Sequence, residues 1–128
     1  MKNKEKYDLG LLHLIYLLIS SDTEISEKEL AYLEYIKRKE GMPDDVFLTF
    51  NQSIIGKKEK EIYQNGIDMI NECSNEFKLR AFVTLYRMAQ SDGIMHVKEV
   101  RLLLYAVRLT DVDINVVIAR AKEELVSA

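Results

Sequence analysis

A ten-residue motif occurs twice in this chain, at a spacing of seventy residues. The first copy is Ser21-Asp22-Thr23-Glu24-Ile25-Ser26-Glu27-Lys28-Glu29-Leu30. The second is Ser91-Asp92-Gly93-Ile94-Met95-His96-Val97-Lys98-Glu99-Val100. Each follows one apolar run and opens another. Tyr16/Tyr86, Leu33/Leu103, Tyr35/Tyr105 and Arg38/Arg108 keep the same offset. A repeat of this kind constrains architecture more than local propensity does, because both copies must adopt one supersecondary unit.

The periodicity around the motifs is helical, and no stretch alternates as a strand would. A first helix is expected over about 6–20, apolar on almost every face and therefore buried. A second begins at Ser26, where Ser26 and Glu29 form a capping box and Ile25 and Leu30 a hydrophobic staple. Gly41 ends it and Pro43 opens a short third helix, which Gly56 closes. A fourth helix over about 58–73 turns Ile62, Met69, Ile70 and Cys73 inward. A fifth, over about 76–91, buries Phe77, Ala81, Phe82, Leu85 and Met88. The sixth starts at His96 or Val97 and carries Val100, Leu103, Leu104 and Val107 as its apolar stripe. Asp113 caps the seventh, with Ile114, Val117, Ile118, Ala121 and Leu125 on one face.

The expectation is an all-α, compact bundle of about seven helices with two pseudo-symmetric αα-hairpins, helices 1 and 2 repeating as 5 and 6. With no linker or low-complexity segment, residues 1–128 read as a single helical domain.

Charge and cysteine usage narrow the classes of function. Net charge is −3, and acids interrupt the densest basic stretch, Lys57-Lys58-Glu59-Lys60, so the footprint of a nucleic-acid binder is missing. Cys73 is the one cysteine, which excludes an intrachain disulfide and fits a reducing, cytoplasmic setting. Lys2, Lys4 and Lys6 before the run Leu9–Ile19 mimic a signal peptide. Glu5, Asp8 and His13 break that pattern, and the run corresponds to the internal stretch Leu79–Ala89. It reads as a buried helix, too short to span a bilayer.

The repeated loops hold the candidate chemistry. In each copy an acid, Asp22 or Asp92, ends one helix and a glutamate, Glu29 or Glu99, follows seven residues later. Capping explains part of this, since carboxylates satisfy free N–H groups at a helix start and favour its dipole. If pseudo-symmetry brings the loops together, Asp22, Glu24, Glu29, Asp92 and Glu99 form an oxygen-rich cluster that suits a divalent cation, Ca²⁺, Mg²⁺ or Mn²⁺. His96 adds a ligand for Zn²⁺ or Mn²⁺. The acids do not follow the EF-hand spacing. His13, inside an apolar helix, reads as a satisfied core histidine, and Cys73 as a buried thiol.

The run 91–100, with its degenerate copy at 21–30, resembles the TerB family of tellurite-resistance proteins, whose relatives include the N-terminal domain of membrane-anchored DnaJ-like co-chaperones. The likeness covers about residues 6–126. Asp92, Gly93 and Glu99 match the family motif directly, Asp22 and Glu29 match it in the first copy, and Thr23 replaces the expected glycine. The resemblance implies a compact helical domain with an acidic surface cluster and a metal-sensing or scaffolding role.

Two functions follow. One is a non-catalytic scaffold in a stress response, cofactor-free or holding a divalent cation. Its partner would be a protein, membrane-associated stress proteins among the candidates, and the chain itself a monomer or homodimer. The other is a metal-dependent enzyme, with Asp22, Asp92 and Glu99 holding the ion and His96 as base. The scaffold is the favoured reading, because a chain without long loops has little material for a catalytic pocket.

Overall fold

The computed structural model describes the backbone of residues 3–20, 27–90 and 97–127. Among these residues there are seven α-helices and no strand. They are α1 (Asn3–Ser20), α2 (Glu27–Glu40), α3 (Asp44–Ile54), α4 (Glu59–Asn71), α5 (Asn75–Ala89), α6 (Val97–Leu109) and α7 (Ile114–Ser127). The all-α bundle expected from the periodicity is the fold observed. No helix among the described residues is long and apolar enough to cross a membrane.

The helix ends follow local chemistry. Ser74 caps α5, its hydroxyl accepting from the Phe77 amide at 3.3 Å. Asp113 precedes α7 and its carboxylate accepts from the Asn115 amide at 2.8 Å. Gly41, at φ +62°, closes α2 in a Schellman turn. The Met42 amide donates to the Lys37 carbonyl at 3.1 Å and the Gly41 amide to Arg38 at 3.2 Å.

Seventy residues later the same turn closes α6. Val112 donates to Val107 at 2.9 Å and Asp111 to Arg108 at 3.3 Å. The left-handed position is now Asp111, at φ +58°. A side chain there carries a steric cost that glycine avoids. Asp111→Gly is therefore expected to stabilise the fold by about 0.5–1 kcal/mol, read as a raised urea midpoint with an unchanged slope.

This match enlarges the repeat. Helices α3 and α7 begin at Asp44 and Ile114, again seventy residues apart. The repeating unit is thus three helices, α1–α2–α3 recurring as α5–α6–α7, with α4 between the copies. Packing agrees: α3 lies on α1 as α7 lies on α5, and α1 packs against α5. Tyr7 and Phe77 are counterparts in the repeat, and their rings touch at 5.1 Å between centroids. The contact lies where the first helices of the two copies, α1 and α5, meet.

The core is built mainly on α1 and α5. Tyr7, Leu11, Leu14, Ile15, Leu18, Ala81, Phe82, Leu85 and Met88 are all buried. The tightest helix pair is α1 with α4, where two glycines remove the side chains that would hold the helices apart. A Cβ on Gly66 would lie 2.9 Å from the His13 Cβ, and one on Gly10 would lie 3.0 Å from the Met69 Cβ. The inward face of α4 accordingly runs through Ile62, Gly66, Ile67 and Ile70, with Met69 only partly buried. Helix α2, expected beside α1, makes its main packing contact with α5 among the described residues. Ile36 is its buried anchor.

Candidate functional site

Four of the six predicted ligands, Asp22, Glu24, Asp92 and His96, lie outside the described residues, as does the side chain of Glu29. The convergence of the two loops, on which both a shared cation and the enzymatic alternative depend, therefore falls there too. Glu99 is the exception. It stands in the first turn of α6 and is 4% exposed. Among the described residues no three His, Cys, Asp or Glu side chains group as metal ligands.

His13 is buried on α1. Its Nδ1 lies 2.6 Å from the Leu9 carbonyl, which places the ring proton there. Nε2 then faces the Ser53 hydroxyl at 3.5 Å, and Phe50 packs edge-on at 5.1 Å. Burial holds the imidazole below its usual range, against the opposing pull of the Leu9 carbonyl. The unfolded chain therefore takes up a proton from about pH 6.5 downward while the folded chain resists. Folding stability should fall on acidification from pH 6.5 toward the lower folded value. Urea midpoints at a series of pH values check this, and His13→Leu should remove that part of the slope. Asp8 acts with the opposite sign. Its carboxyl is pushed up by burial, so protonation above the ordinary carboxylate range favours the folded chain. Cys73 bonds the Met69 carbonyl at 3.4 Å, and burial raises its thiol, leaving it a poor nucleophile.

A polar cluster that periodicity does not reveal joins α1, α2 and α5. Arg80 donates through Nε to Glu40 Oε1 at 3.1 Å, and its Nη2 lies 2.5 Å from Oε2. Lys4 pairs with the buried Asp8. Between these pairs lies the Tyr7 ring, with the Arg80 guanidinium 5.6 Å from its centroid and the Lys4 ammonium at 5.3 Å. The Tyr7 hydroxyl is buried with no hydrogen-bond partner, and burial, with Glu40 nearby, drives its ionisation far up. A neutral phenol between two closed ion pairs has no proton to exchange near neutrality. The cluster ties three helices together and offers no reactive group.

The solvent side of α6 is different in character. Val97 is 67% exposed, Leu104 44%, Tyr105 59% and Leu109 53%. Sequence periodicity puts Leu104 on the inward stripe with Leu103 and Val107. The structure buries Leu103, Ala106 and Val107 and turns Leu104 to solvent, because α5 covers only one side of the helix. Beside this row an open cavity of about 650 Å³ lies between α6 and α4, lined by Tyr63, Leu102, Tyr105, Arg108 and Leu109. At the end of α4 the Asn71 side chain donates to the Leu109 carbonyl at 3.3 Å.

The fold and this surface define an all-α bundle built on a doubled three-helix unit, with an apolar outer face on α6. Comparison of the chain with protein families, with curated proteins and with solved structures found no match.

Proposed function

We propose that the chain is a non-catalytic binding module of the TerB type, a scaffold in a stress response that engages a protein partner through the outer side of α6. The observation that carries this reading is the row of exposed apolar side chains Val97, Leu104, Tyr105 and Leu109 beside an open cavity. Contiguous exposed apolar surface of this kind, with tyrosine and arginine among it, is typical of interaction sites. The test is proximity labelling in cells that make the chain natively, comparing the wild type with Leu104→Ser/Tyr105→Ser. Loss of particular neighbours from the variant, with its helicity intact, supports the module. An unchanged set of neighbours sinks it.

The second element of the proposal is a divalent cation held by the repeated acidic loops, through Asp22, Glu24, Glu29, Asp92, His96 and Glu99. Calorimetric titration with Ca²⁺, Mn²⁺ and Zn²⁺ tests it against Asp92→Asn and Glu99→Gln. Micromolar binding lost in both variants supports the site. No binding, with variants weakened only by about 0.5–2 kcal/mol as for a lost cap, makes the loops structural and leaves the α6 module standing.

A further inference from the structure

The doubled unit supplies its own control for the outer face of α6. At 100° per residue, Val97, Arg101, Leu104, Tyr105 and Arg108 share one side of the helix, with Lys98 and Leu109 next to them. The counterparts of these positions on α2 are Glu27, Ala31, Glu34, Tyr35 and Arg38, with Lys28 and Lys39. All of these whose side chains are described are exposed. Three positions therefore changed from charged to apolar between the copies: Glu27 against Val97, Glu34 against Leu104 and Lys39 against Leu109. The corresponding positions of α2 are exposed with glutamate and lysine, although α2 packs chiefly on α5 rather than on the first helix of its own unit.

Charge changed with them. Lys98, Arg101 and Arg108 are exposed and have no ion-pair partner among the described residues. The one acid on α6, Glu99, is buried. On a chain of net charge −3, this face is a basic strip laced with apolar side chains. It runs the length of α6, 13 residues, or about 20 Å at 1.5 Å per residue. The cavity sits toward its C-terminal end, where Tyr105, Arg108 and Leu109 belong to both the strip and the cavity wall.

We infer that the outer face of α6 binds an acidic amphipathic helix of a partner protein, which seats one bulky apolar side chain in the cavity between α4 and α6. The inference rests on the reading of the chain as a binding module and names that partner's chemistry. Leucines or aromatics at helical spacing meet Leu104, Tyr105 and Leu109, and flanking Asp and Glu meet Lys98, Arg101 and Arg108. A small amphipathic anion would fill the cavity but leave Val97, Arg101 and Leu104 uncovered. The length of the strip therefore selects a polypeptide.

A displayed library of helical peptides of about five turns, selected on the folded chain, tests this. Enriched peptides are then measured by fluorescence anisotropy on the wild type and two variants. One is Val97→Glu/Leu104→Glu/Leu109→Lys, which restores the α2-type residues. The other is Arg101→Glu/Arg108→Glu. Circular dichroism confirms that both fold. The expected result is enrichment of acidic amphipathic peptides, weakened about tenfold or more by each variant and further by raising salt from about 50 to about 300 mM. Neutral or basic peptides lost only on the first variant would overturn the acidic partner while keeping the module. Peptides indifferent to both variants would overturn both. Capture of laurate or of phosphatidylglycerol vesicles without peptide enrichment would overturn the inference in favour of a lipid.

Discussion

Gly66→Leu is expected to cost about 3 kcal/mol, the upper end of the range for overpacking a close interface. Leucine is the better helix former by most of a kilocalorie, so an isolated α4 would gain from the change. The loss arises between helices. The first added carbon already falls 2.9 Å from the His13 Cβ and 3.2 Å from Leu14 Cδ2. The His13 Cβ is fixed to the α1 backbone, so no rotamer change relieves the overlap and α4 must move away from α1. That movement opens contacts of Ile67 and Ile70, which are buried in the same core. Urea denaturation reads the loss directly. Glu61→Leu, at an exposed site on α4, should stay within about 0.5 kcal/mol. If the two variants lose equally, close approach of α1 and α4 is not the cause.

Arg80→Ala is expected to cost about 2–3 kcal/mol. The Glu40 side chain is 1% exposed, so removing its cation leaves a carboxylate in the interior. Breaking a fully buried pair in this way costs about 3–5 kcal/mol. Arg80 itself is 42% exposed, so water reaches the gap it leaves and screening lowers the cost to about 2–3 kcal/mol. Arg120 provides the contrast. It lies 3.2 Å from Glu76, whose side chain is 75% exposed, and Arg120→Ala should cost no more than about 1 kcal/mol. Adding Glu40→Leu to Arg80→Ala should recover most of the loss, because the double change removes the stranded charge along with its partner. Failure to recover would mean that Arg80 matters through its packing over the Tyr7 ring.

Much of the fold is legible in the sequence. The cap at Asp113 and the stop at Gly41 depend on residues within a few positions, and each stands where the sequence puts it. The repeat was legible only in part. Its third helix escapes a residue-by-residue comparison, because α3 and α7 share little sequence beyond Val46 and Val116. The shared Schellman turns at Gly41 and Asp111 reveal it, and those are a property of backbone angles. The interaction face was hidden for another reason. Leu103, Leu104 and Val107 satisfy one apolar stripe on a helical wheel, and the wheel does not say how wide the neighbouring helix is. The candidate cation loops were the most visible motif in the sequence, yet of their ligands only the Glu99 side chain is among the described residues, and it is turned inward.

The sequence by itself determined that this chain is helical, where most of its helices start and stop, and that its order is doubled. These follow from side chains acting on backbone within one or two turns. Only the tertiary structure decided that α4 is the closest neighbour of α1, through Gly10 and Gly66, and that Glu40 meets Arg80 across forty residues. It alone decided that Leu104 and Leu109 face solvent while their neighbours on α6 are buried. Which side of a helix is covered depends on the bulk and position of helices remote in the chain, and that is settled only when all of them are packed together.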